Sequence, residues 1–178
     1  MKDICPESFR FFDQGIRKAA LADPGMPAQQ ILLAKLHAHL GKLLADGMNQ
    51  ELSRFDITLA HWQVLMWLSN HSGQPANPTQ MCGVVTETPA GITRLTDELF
   101  ARGWIVRRPS TQDRRRIELS ISPAGEAVVK KVKPAVWAML ERVYGGFSDA
   151  EMRTLEKLLK KLLGSLEEAP AKKHEETT

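Results

Sequence analysis

Apolar and polar positions change their period along the chain, and a series of elements follows from that. Phe9, Phe11, Phe12, Ile16 and Leu21 predict one short amphipathic helix within an N-terminal arm, residues 1–27, which Asp23, Pro24, Gly25 and Pro27 close. From about Ala28 to Arg54, Ile31, Leu32, Leu36, Leu40, Leu43 and Leu44 recur near every 3.6 residues and predict a long helix with one apolar face. Thr58 is placed to cap a helix over 59–70, with Trp62, Leu65, Met66 and Leu68 as its apolar residues. Asn77 caps a short helix that starts at Pro78 and runs to about Val85. Thr88 caps the next helix, with Pro89 at its first position, where a missing N–H costs nothing. That helix turns Ile92, Leu95 and Leu99 to one side and ends at Gly103.

The period then falls to two. Trp104, Ile105 and Val106 predict a short strand, and RRPSTQDRRR a polar loop. Ile117, Leu119 and Ile121 alternate with Glu118 and Ser120 as a second strand with one buried face. Ser122 or Pro123 opens a helix that reaches about Tyr144, where Gly145 and Gly146 break it. Ser148 with Glu151 forms a capping box for a last helix to about Glu168. Residues 169–178 are polar and predicted to be disordered. No internal repeat is visible. The predicted fold is mainly α with a small β-wing: a winged helix-turn-helix over 58–122, flanked by dimerisation helices at 28–57 and 123–168.

Composition sharpens this picture. A chain of 178 residues, 43% apolar, can bury a useful core, but its net charge is only +3. A nucleic-acid argument therefore rests on where the charges sit. Between Arg102 and Arg116 six arginines (102, 107, 108, 114, 115 and 116) face one acid, Asp113. Arginine suits phosphates and narrow minor grooves. The helix over 88–102 has the width to enter a major groove. Its first residues Thr88, Ala90, Gly91 and Thr93 are small or polar, so backbone and base edges can approach closely. Arg94 is the one long cation on its outer face, able to bond a guanine edge or a phosphate. Thr79, on the preceding short helix, completes the expected DNA-binding set with Asp113, Arg114, Arg115 and Arg116. Glu87, at the mouth of the reading helix, would repel phosphates. Two short helices are a weak signal alone, and a basic loop is usually a solvated surface. The order helix, tight turn, helix, strand, basic loop, strand carries the reading.

Other classes find less support. No run of about 18 apolar residues is present, and MKDICPESFR is not a signal peptide, so a cytoplasmic protein without a membrane span is expected. Cys5 and Cys82 do not make a disulfide framework. No GxGxxG, P-loop, HExxH, CxxC or nucleophile elbow occurs, so an enzyme is not expected. His37, His39 and His61 lack ligand spacing, and neither metal nor cofactor is expected. A winged-helix adaptor that binds protein instead of DNA would not need six arginines.

Residues 88–125 resemble the MarR family of transcriptional regulators. The resemblance is carried by Ile92-Thr93-Arg94-Leu95, the exit Arg102-Gly103-Trp104-Ile105, Asp113-Arg114-Arg115 at the wing tip, and a strand that stops just before Pro123-Ala124-Gly125. Ile121-Ser122 stands where the family usually has Leu-Thr. The flanking helices extend the likeness over most of 28–168, most closely toward multidrug-efflux repressors. It implies a homodimer joined through the terminal helices, bound to a pseudo-palindromic operator in double-stranded DNA. Leu155, Leu158, Leu159, Leu162, Leu163 and Leu166 form a stripe that supports this pairing independently. It further implies release by a small aromatic or lipophilic effector held between the dimerisation helices and the winged domain. The candidate pocket residues are His39, Leu43, His61, Trp62 and Met66, each of which also suits a plain core position. A thiol-based redox regulator is the variant reading, although neither Cys5, in the arm, nor Cys82, in a short helix, advertises an activated thiol.

Overall fold

The structure is a computed structural model that describes residues 5–71, 76, 81, 85, 88–110 and 117–168. Its elements are α1 (Glu7–Ala22), α2 (Ala28–Ser53), α3 (Leu59–Asn70), α4 (Pro89–Ala101), β1 (Ile105–Pro109), β2 (Ile117–Ile121), α5 (Pro123–Tyr144) and α6 (Asp149–Glu168). The mostly helical chain with one small wing is the predicted fold class. The expected short helix over 78–85 lies mostly outside the described residues, as does the tail 169–178. Within the former, the Val85 N–H bonds the Met81 carbonyl at 2.9 Å, one helical turn apart.

The chain divides into two compact units, Met1–Val136 and Trp137–Thr178. The core of the first is built on α3, which buries His61, Trp62, Val64, Leu65 and Leu68. Against it lie Ile92, Leu95 and Leu99 of α4, with Leu52, Ile57, Met81, Ile105, Leu119, Val129 and Val132 also buried. The arm helix runs 16 residues, longer than its sparse apolar positions predict. It docks on α2 through buried Phe9, whose ring lies 5.9 Å from that of His39, while Ser8 Oγ meets His39 Nε2 at 3.2 Å.

The wing strands pair antiparallel, with Ile105 opposite Ile121 and Pro109 opposite Ile117. β1 is thus longer than the apolar run 104–106. Backbone pairing continues through Arg107 and Arg108 because a ladder is made by backbone N–H and carbonyl groups and needs no apolar side chain. Arg108 stands opposite Glu118, a favourable cross-strand charge pair. Ala76 adds a further rung: its N–H and carbonyl both bond Leu119, at 3.0 and 2.8 Å.

Caps fix the helix ends that matter for the site. Thr58 Oγ1 accepts the His61 N–H, and His61 Nδ1 in turn accepts the Thr58 N–H, a reciprocal box with histidine in the usual glutamate place. Thr88 Oγ1 accepts the Gly91 N–H at 3.1 Å. Gly103, at φ +70°, ends α4 in the left-handed region that glycine enters without strain. Ser122 then stitches three backbones together. Its N–H bonds the Trp104 carbonyl at 3.0 Å, and its hydroxyl donates to the Gly103 carbonyl at 2.6 Å. Ser122 Oγ also accepts the Gly125 N–H at 3.0 Å.

In the second unit, Tyr144 and Phe147 place their rings 6.3 Å apart at the turn. Ser148 and Glu151 form the predicted capping box, with the Ser148 N–H donating to Glu151 Oε2 at 2.8 Å. The two bonds from Ser148 hold the Glu151 carboxyl below the ordinary glutamate range.

Candidate nucleic-acid interface

The helix α4 has two distinct faces. Ile92, Leu95, Thr96 and Leu99 are buried, whereas Thr88, Ala90, Thr93 and Arg94 are exposed and Gly91 is half-buried. The expected reading residues therefore share the outward side of one helix. Their hydroxyls are partly committed: Thr88 holds the cap, and Thr93 Oγ1 donates to the Pro89 carbonyl at 3.1 Å, keeping acceptor capacity outward. The Arg94 side chain is 76% exposed, and its Nη1 lies 3.5 Å from Glu98 Oε1, one turn along the same helix.

The basic cluster separates into different kinds of arginine. Arg102 Nη1 donates to the Asp56 carbonyl at 2.6 Å and lies 3.2 Å from Asp56 Oδ2, with its guanidinium over the Trp104 ring. Arg107 Nη2 meets Asp97 Oδ1 at 2.6 Å and donates to Thr96 Oγ1 at 3.0 Å, over the Phe100 ring. These two are struts that tie α4 to the α2–α3 turn and to β1. Two of the six arginines counted between 102 and 116, neither of them in the expected DNA-binding set, are thus engaged by acids of the chain itself. Arg108 is exposed on β1. Thr79, Asp113, Arg114, Arg115 and Arg116 lie outside the described residues.

Beside this surface lies a cavity of about 760 Å³, walled by Ala45, Asn49 and Ser53 of α2, residues 57–61 and Gln63, and Gly91, Arg94, Leu95 and Glu98 of α4, with Val85. Of the five expected effector residues only His61 lines it. Trp62 is buried in the core and Met66 half-buried. His39 lines a separate hollow of about 230 Å³ with Phe9, Phe12, Lys35, Ala38 and Lys42. Leu43 is exposed on α2. The polar wall of the larger cavity is a chain of contacts. Because His61 Nδ1 accepts the Thr58 N–H, its proton sits on Nε2, which donates to Glu98 Oε2 at 3.0 Å. Arg94–Glu98 was readable as an i, i+4 pair. His61–Glu98 spans 37 positions and carries no local signal. Among the described residues, no group of three or more histidine, cysteine, aspartate or glutamate side chains could hold a metal, and no helix is long and apolar enough to cross a membrane.

A helix presenting small polar residues and one arginine, packed through its inner face and followed by a two-stranded wing, defines a winged helix-turn-helix protein. Comparison with known proteins narrows the class. The MarR family profile matches residues 57–117. The transcriptional repressor MprA of Escherichia coli (strain K12) is 29% identical over 161 residues, 90% of this chain and 92% of that protein. The multiple antibiotic resistance protein MarR of the same strain is 30% identical over 117 residues, 65% of this chain and 80% of MarR. A crystal structure of a cysteine-to-serine mutant of E. coli MarR complexed with operator DNA is similar with a TM-score of 0.68 and 26% identity. The match covers 76% of this chain and 96% of that one. The chain belongs to the MarR family, as a DNA-binding transcriptional regulator.

Proposed function

We propose that the protein is a cytoplasmic homodimeric repressor that reads a pseudo-palindromic operator with α4 and the wing and is released by a small aromatic or lipophilic ligand. The observation that carries this reading is the division of α4 into a buried apolar face and an outward face bearing Thr88, Ala90, Thr93 and Arg94. Such a helix is held rigidly while its reading side stays open. The repressor MprA and the MarR–operator complex, as relatives, support it. The exposed leucines of α6 supply a face for two-fold pairing, which sets two reading helices about 34 Å apart, one turn of DNA. A cavity of about 760 Å³ with apolar walls at Ala45, Ile57, Leu59, Val85 and Leu95 suits a small-molecule effector.

The decisive experiment is operator binding by Arg94→Ala across a salt series. A base-reading Arg94 gives a loss of about 1–3 kcal/mol on operator and relaxed preference at one base pair. Equal losses on operator and random DNA would reduce it to a phosphate contact. In the same series, Arg114→Ala with Arg115→Ala removes four cations per dimer and makes the log K against log salt slope shallower by about 3–4 units. Asp113→Ala weakens binding and leaves the slope in place. A double variant with parental slope and affinity would take the wing off the DNA.

A further inference from the structure

We propose that Glu98 is a positioning residue that sets the sequence preference of Arg94; this rests on the reading of Arg94 as a base contact. Glu98 is an acid on the DNA-facing helix, where its charge alone would oppose binding. Its geometry gives it another use. One carboxylate oxygen, Oε2, is fixed by the Nε2–H of His61 at 3.0 Å. The His61 side chain is only 7% exposed and is itself held by the Thr58 backbone N–H, so the anchor is part of the core. The other oxygen, Oε1, faces Arg94 Nη1 at 3.5 Å. A long, exposed arginine would otherwise sample many rotamers, and a bidentate base contact requires one of them. A guanidinium has five N–H donors, so one can lean on Glu98 while a two-donor edge stays open for a guanine. Orientation passes from the α3 cap through His61 and Glu98 to the reading cation. Glu98 and Arg94 also both line the large cavity, so its polar wall and the base-reading group are the same contact.

The test is a double-mutant cycle at one fixed salt concentration, using operator duplex, operator variants at each base pair, and random duplex. Glu98→Ala removes the acceptor of the buried His61 Nε2–H, so Glu98→Gln, which keeps that acceptor and removes the charge, is measured beside it, and circular dichroism checks the fold of both. With a positioning role, Glu98→Ala lowers operator affinity by about tenfold, within the range of one bidentate base contact, and flattens preference at the Arg94 base pair. Affinity for random DNA rises by roughly twofold, since a negative charge has left the interface. In the Arg94→Ala background, Glu98→Ala no longer changes the ratio of operator to random affinity. A surface acid without a positioning role would raise both affinities in parallel, and that result overturns the proposal. If Arg94→Ala alone leaves base preference unchanged, the fault lies in the reading of Arg94, and the two failures are told apart by that single variant.

Discussion

The helices α3 and α6 carry apolar side chains at helical spacing and meet opposite fates. α3, 12 residues long, buries four of them, Trp62, Val64, Leu65 and Leu68, together with His61. α6, 20 residues long, buries none, and Leu158, Leu159, Leu162, Leu163 and Leu166 all stand exposed in the single chain. The difference lies in what separates the apolar positions. α3 is LAHWQVLMWLSN, apolar nearly all round, so neighbours must cover it on every side. In α6 lysines and glutamates flank one leucine stripe, a pattern at ease in water on all sides but one. Periodicity therefore reveals that an apolar face exists, and burial reveals whether the chain's own residues cover it. In the proposed dimer a second copy covers the stripe of α6.

Breaking that cover gives the largest expected effect. Leu159→Glu with Leu163→Glu places unpaired charge in the stripe and dissociates the dimer. Operator affinity then falls by at least about 100-fold, because two half-sites are no longer engaged together. Sedimentation and operator titration read both, and a variant that stays dimeric with parental affinity removes α6 from the interface. The contrast itself is measured next, by urea unfolding in that dissociated background. Leu99→Ala, at a fully buried α4 position, costs about 2–5 kcal/mol. Leu158→Ala, exposed on α6, costs less than about 0.5 kcal/mol. Equal costs would show that α6 is covered within its own chain.

A smaller version of the same contrast runs through the arginines. Arg107→Ala breaks a charged strut to Asp97 and Thr96 and costs about 1–2 kcal/mol of stability. Arg108→Ala, on the exposed strand face, changes stability by less than about 0.5 kcal/mol. Thermal unfolding of the two variants side by side decides it, and matching melting temperatures would deny Arg107 its strut role. The smallest effect belongs to the α6 cap. Bonds from Ser148 lower the folded pKa of Glu151, so its capping contribution is complete above the ordinary glutamate range and is lost as pH falls through the depressed value. Carboxyl chemical shifts place the Glu151 midpoint below that of an unpaired glutamate, and Ser148→Ala, which removes the hydroxyl donor and keeps the backbone N–H, raises it part of the way back. A midpoint that does not move on Ser148→Ala refutes the cap as the cause.

Much of the fold was legible because its signals are local. The 3.6 period marks α2 through α6, and Thr58, Thr88 and Ser148 mark where helices begin. β1 was legible only at its apolar start, since pairing through Arg107, Arg108 and Pro109 leaves no alternation to read. The Ala76 rung is a single residue with no period. In the site, the outward face of α4 follows from counting around a helix, and Arg94–Glu98 from spacing. The His61 link does not, because a buried partner 37 positions away is brought close only by packing. The same limit explains Arg102 and Arg107. A count of charges along the chain cannot separate a cation that meets DNA from one that meets Asp56 or Asp97.

The joint between the end of α4 and the start of α5 has a mechanical consequence. A Cβ at Gly125 would lie 2.1 Å from the Trp104 carbonyl oxygen, so two backbones already touch there, and Ser122 bolts both to Gly103. Such a joint has no slack. Any tilt imposed on the first turn of α5 is handed to β1 and to the end of α4 as one lever. The 13 residues of α4 make an arm of roughly 20 Å, so a turn of about 5° at the joint moves the N-terminal end of the helix by about 2 Å. A displacement of that size is several times the roughly 0.5 Å over which a hydrogen bond to a base keeps its length.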